Sequence, residues 1–501
     1  MTDGWTHSGR AEAGVRIRRG HGPGSIAALT PVWVLARPPV AAICRPDLPD
    51  SAAGRGVALG ARNKIQGRKV EAPRGMSASV RESAMLSISH ALDALNFLSA
   101  DVRNLFGPFI NVYLVTTHHW TQTDVGLTTT ASGLLGIALQ TPIGAAIDVT
   151  RAKRAVIVAT MAAMTLAAFI IFAFPTFWPM AAATIIIALA GDAFVPAVSA
   201  LTLGLVDRRE LARRLGRNSA WNHGGNIAIA LVAGGVGYLF SQRVVFLLVP
   251  VFAALTSAAV LMIPADAIDH DRARDLGKEG KDGKDDGAAA GYGVLFRTRP
   301  LLIFAISALF FHFANAPLLP LVGQKLAFQF PKEATAMMSF CMVAAQGVML
   351  PIAIFVGRNA DRLGRRPIFL IAFAVLPIRA VLYILSDNAF WLIGVQVLDG
   401  IGAGIYEALT PLVISDIMRG TGRFNLAQGA VATTQGVGAS LSALAAGAVV
   451  DHFGYATAFL FLGAAAALAF AVFALLMPET RNCEAPAAAP SGALPQGAAG
   501  E

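Results

Sequence analysis

The chain has 501 residues, of which 55% are hydrophobic and 14% charged, with a mean hydropathy of +0.59, a composition that excludes a water-soluble globular protein. Its apolar runs are about twenty residues long rather than short and alternating, which excludes a membrane β-barrel and predicts an all-α, polytopic membrane protein. A net charge of +9 would suit nucleic acid, but Lys and Arg gather in alternate loops between the runs, the topology signal of a membrane protein, and no nucleic acid is expected as a partner. Cys44, Cys341 and Cys483 have neither metal-ligand nor disulfide spacing. No phosphate-cradling G-x-x-x-x-G-K-[ST], H-E-x-x-H, G-x-S-x-G or CxxC stretch occurs, so no enzyme site, metal or cofactor is expected.

Residues 1–84 are rich in Arg, Gly, Ala and Pro without periodicity, and are expected to be a disordered cytoplasmic tail, with Met76 or Met85 as alternative starts. Six spans follow in a first bundle over 85–264, at about 93–116, 125–149, 155–174, 180–206, 218–240 and 244–263. The fifth carries small residues at Gly224, Gly225, Ala228, Ala233, Gly234 and Gly237, which let helix backbones touch. Residues 265–299 turn abruptly to mixed charge with glycine (D-H-D-R-A-R-D-L-G-K-E-G-K-D), the composition of a cytoplasmic linker. A second bundle over 300–478 repeats the plan at about 300–327, 335–356, 367–386, 390–417, 425–450 and 456–477, and 479–501 read as a disordered tail. Arg243, Lys325 and Lys332 are the basic residues placed outside; the remaining loop arginines and lysines lie inside, with both termini cytoplasmic.

Between the eighth and ninth runs stands G-R-N-A-D-R-L-G-R-R, with Gly357, Asp361, Arg362, Gly364, Arg365 and Arg366. So many charges in so short a loop require a water face, and its glycines are suited to a tight turn. A looser copy with Gly144, Asp148, Arg151, Lys153 and Arg154 follows the second run and lacks the second glycine. G-R-N from Gly216 and G-R-F-N from Gly422 open the fifth and eleventh runs, and D-G-I-G-A-G-I-Y-E-A-L-T-P from Asp399 lies in the tenth. This pattern resembles the major facilitator superfamily, in its bacterial efflux-type members, over about residues 93–477. The resemblance implies two pseudo-symmetric six-helix bundles, a cavity lined by spans one, four, seven and ten, and loop aspartates that hold a cytoplasmic gate. On that pattern Asp361 would lie near Asn218 and Asp148 near Asn425.

Ionisable residues at membrane depth are costly and mark function by default, with structural pairing as the alternative. Asp101, Asp192, Asp399 and Glu407 are the candidates for proton coupling, since burial disfavours a carboxylate's charge and a neighbouring cation restores it. Arg103 is placed to modulate Asp101 and Asp192, or else to clamp span one permanently to span four. At ~1.5 Å of rise per residue, Arg379 and Asp399 share a depth and suit a structural ion pair. His312 either titrates or packs among aromatics, and Asn104, Asn315, Gln140 and Gln346 are candidate substrate partners. The expectation is a monomeric secondary transporter in the inner membrane, exporting a small organic solute against protons by alternating access. Proton-coupled uptake and a non-transporting receptor are the alternatives.

Overall fold

The computed structural model describes residues 78–270 and 298–481, except 101, 103–105, 420 and 422, and not the side chains of 78–85, 106, 208, 209 and 212. The tail before residue 78, the linker 271–297, the tail after 481, and the candidates Asp101, Arg103 and Asn104 lie outside these residues. Span one consists of two helices, Ala78–Leu98 and Phe106–His118; span two is Gln122–Val149, span three Lys153–Ala173, span four Phe177–Leu205 and span five Arg208–Leu239. Span six joins Gln242–Val245 to Leu248–Leu261, and span seven joins Arg299–Asn315 to Leu318–Gln329. Span eight is Ala334–Leu363, span nine Arg365–Leu385 and span ten Ala389–Ile417.

Spans eleven and twelve form one run, Phe424–Leu476, of 53 residues. At 1.5 Å per residue it would be about 80 Å long, against ~30 Å of hydrocarbon, so it must fold back. It does so at Gly454, whose φ of 81° a side chain would resist. Among the described residues nine helical segments are long and apolar enough to cross a membrane. Twelve crossings result because the longest supplies two, while span one is divided between two shorter helices and span five opens on arginines. The chain is a multi-pass, all-α membrane protein.

Several boundaries differ from the sequence expectation. Span one starts at Ala78, inside the stretch taken as tail. The arginines before Asn218 are the first turns of span five rather than a loop, because Arg, Leu and Ala are good helix formers and Asp93 draws two of them in. Glu479, assigned to the final tail, accepts hydrogen bonds from the amides of Arg365 (2.9 Å) and Arg366 (3.1 Å), capping the exposed start of span nine. Gly364 makes the turn there with φ of 90°, whereas Gly357 lies within span eight and makes no turn.

Each half has its own apolar core. The first-half core also takes in Ala327, Ala334, Met338 and Met342 from the second half, all at the end away from the arginine-rich loops. The arginine-rich end is taken as the inner end, following the charge asymmetry, and the opposite end as the outer.

Candidate functional site

The halves meet along span two with span eleven, span five with span eight, and the outer segments of spans one and seven. The contact is tight toward the outer end. A Cβ on Gly126 would come within 2.5 Å of the Ala443 carbonyl, and one on Gly447 within 2.3 Å of the Gln122 carbonyl. Thr130 Oγ1 donates to the Ser440 carbonyl at 2.6 Å and accepts from the Leu444 amide at 3.3 Å. The first turn of span two ends on Asp451 of span eleven. Its carboxylate accepts from the Gln122 amide (3.0 Å), the Thr123 amide (2.7 Å) and Thr123 Oγ1 (2.6 Å). Gln122 Nε2 donates to the Tyr455 hydroxyl (3.0 Å), which donates to Gln324 Oε1 of span seven (3.3 Å).

Toward the inner end the same seams part. Along span two the contact face runs through Gly126, Thr130, Gly133 and Ile137 and continues by helical periodicity to Gln140 and Gly144. On span eleven it passes from Gly447 through Ser440 and Gly436 to Gly429. A Cβ on Gly144, Gly216, Gly357 or Gly429 would meet nothing within 4 Å. Gln140 and Asn425 are exposed. The molecule is therefore closed at its outer end and open at its arginine-rich end.

Where the seam begins to open, His223 of span five reaches the second half. Its Nδ1 donates to Gln346 Oε1 of span eight at 2.8 Å, and its Nε2 lies 3.9 Å from Glu407 Oε2 of span ten. His223 is buried, while the Glu407 side chain is 59% exposed and, being directed at the opposite half, lies in the crevice between them. A cavity of about 330 Å³ is lined by Ile110, Asn111, Thr129 and Ile187 of the first half and by Ala316 and Ser440 of the second. A pocket with largely apolar walls and a few polar groups, bounded by both halves, can hold a small solute and expose it to one face at a time.

The sequence model for the Major Facilitator Superfamily matches residues 92–376 and 335–493. The chain belongs to this superfamily. Among its relatives, the uncharacterized MFS-type transporter Rv2456c of Mycobacterium tuberculosis is 47% identical over 393 residues, covering 78% of this chain and 94% of its own length. Of solved structures, a point mutant of the nucleoside transporter NupG superposes with a TM-score of 0.64 at 16% identity, covering 78% of this chain and 100% of that one. A bacterial homolog of the human lysosomal transporter Spinster, inward-facing and unoccupied, gives 0.63 at 14% identity, covering 80% and 98%. At these identities the structures establish the fold alone.

Within this superfamily fold, Glu407 and Gln346 share one contact, but the other candidates are dispersed. Asp192 packs against the bare backbone of span two, where its Oδ2 would lie 2.6 Å from a Cβ on Gly136. Asp399 is paired with Arg379, which is buried, as is the adjoining Tyr383. His312 packs on Tyr406 with ring centroids 5.0 Å apart, in a cluster that includes Phe311, and its Nε2 is closed off from solvent. Asn315 is half-buried one turn further along.

At the inner end Asp361 does not reach Asn218. It pairs with Arg365 at 2.7 Å and is 89% exposed, whereas Asn218 is buried and accepts from Arg214 Nε at 2.7 Å. The reason is the parted seam, which keeps Asp361 away from the opposite half. Arg365 also donates to Asp416 at 3.0 Å, and Arg154 to the Leu261 carbonyl at 2.9 Å. Asp148, Arg151 and Arg362 are exposed, and Arg366 donates to the Ala474 carbonyl at 2.6 Å.

Three candidate positions are not marked by the sequence pattern: His223, Asn111 and Asp451. His223 sits in W-N-H-G-G-N, a polar break in an otherwise apolar run that could have flagged it. Asp451 falls at the very end of its span, where a charge is ordinary, so its position carries no signal.

Proposed function

We propose that this protein is a proton-coupled exporter of a small organic solute, acting as a monomer by alternating access in the bacterial plasma membrane with both termini in the cytoplasm. The observation that carries the reading is the Glu407 carboxylate. It stands in the open crevice of one half and faces His223 of the other, so moving the halves changes its surroundings. With Nδ1–H committed to Gln346, a neutral His223 turns the lone pair of Nε2 toward the carboxylate. A proton between the two converts repulsion into attraction, which ties proton occupancy to the arrangement of the halves. Export is favoured over uptake by the resemblance of the stretch from Asp399 to efflux-type members of the superfamily.

Purified protein in proteoliposomes carrying a pH-sensitive dye tests this against a panel of solutes, with nucleosides, sugars and cationic drugs as the first probes. A transported solute should drive protons in the opposite direction, and Glu407→Gln should abolish that proton movement while leaving solute binding within a few-fold. Protons moving with the solute would establish uptake instead. Binding without any flux would establish a receptor.

A further inference from the structure

The closed outer end rests on a cross-half contact of a particular kind. Span two begins at Gln122, so its first amides have no helical partners and its end carries partial positive charge. Asp451, from the other half, takes up two of those amides and the Thr123 hydroxyl at 2.6–3.0 Å. A carboxylate fits this place because it only accepts; once protonated it loses its charge and one oxygen becomes a donor, which an N–H cannot receive. Asp451 is exposed at the outer end, so its proton comes from the outer phase.

The groups around it leave the carboxylate as the element that can switch. On span two, Asp124 is engaged by the Thr121 hydroxyl at 2.7 Å. On its own run, His452 Nδ1 bonds the Ala448 carbonyl, and Tyr455 bridges Gln122 and Gln324. On span seven, Lys325 is paired with Asp387.

We infer that Asp451 is the latch of the outer gate and that its protonation from outside releases span two, opening the cavity to the outer face. This rests on the alternating-access reading and adds to it a trigger separate from Glu407. For an exporter the consequence is ordered: outer acidity unlatches the gate from which solute leaves.

The test is a distance measurement that needs no substrate. Spin labels at Phe240 and Lys332, exposed at the outer end on opposite halves, are followed by double electron–electron resonance in nanodiscs as pH is lowered. The long-distance, outer-open population should grow at low pH in the otherwise unaltered protein. In Asp451→Asn it should already be raised, on the order of tenfold, and should respond to pH less than in the parent. Asp124→Asn should titrate like the parent, and in a Glu407→Gln background, which removes the coupling carboxylate's own response, Asp451→Asn should abolish the response to pH that remains. Thermal melting confirms that each variant is folded, and Asp451→Glu should restore the pH response. A parent distribution indifferent to pH, or an Asp451→Asn protein that titrates normally, would overturn the latch. If vesicle assays found transport independent of protons while the distance change persisted, the latch would stand and the coupled-export reading would fall.

Discussion

Replacing Gly447 by alanine adds one Cβ where the structure has no room, 2.3 Å from the Gln122 carbonyl oxygen and 2.7 Å from its carbon. Both neighbours are backbone, so the seam between spans two and eleven must widen by about 1 Å toward ordinary contact. Overpacking of this kind costs about 1–3 kcal/mol, charged only to the state in which the outer seam is closed. The ratio of inner-open to outer-open molecules should therefore fall roughly 5- to 150-fold. Gly429, on the same face of span eleven toward the inner end, offers the opposite case. Its added Cβ meets nothing within 4 Å here and would be crowded only after the inner ends close. The assay is maleimide labelling of Gln140→Cys from the inner side, with Cys44 and Cys483 changed to serine and Cys341 left buried. Gly447→Ala should slow labelling, whereas Gly429→Ala should leave it unchanged or faster. If Gly429→Ala slowed labelling as much as Gly447→Ala, the seams would not open and close in alternation.

Other consequences concern stability. Asp93 accepts from Arg214 Nη2 at 2.7 Å and also holds Arg217, and both Asp93 and Arg214 are buried. Asp93→Ala strands a buried cation and should lower stability by about 3 kcal/mol or more, read as a drop in melting temperature in detergent. Asp361→Asn removes only a pair whose carboxylate faces water, and the same melt should shift by less than about 1 kcal/mol. A chain ending at residue 481 should melt like the full chain, whereas one ending at 478 loses the Glu479 cap of span nine and about 0.5–2 kcal/mol with it; equal melting of the two would show the cap to be incidental.

Much of this architecture is present in the one-dimensional pattern, because a bilayer imposes a length on every crossing and a water face on every cluster of charge. Runs of about twenty apolar residues, the charged cluster around Asp361 at a span end, and the shared depth of Arg379 and Asp399 can all be read from spacing alone. What spacing cannot supply is the rotation of each helix about its axis and the register of one half against the other. Those choices decide that Glu407 faces His223, that Asp192 turns to Gly136, and that Asp451 caps a helix more than three hundred residues earlier in the chain. They also select the inner-open state, in which Asp361 stands apart from Asn218 of the opposite half. Local sequence determines what each span is, since burial in lipid is a per-segment requirement. Only packing between spans decides which polar groups meet, since that energy belongs to pairs of surfaces that the linear chain holds far apart.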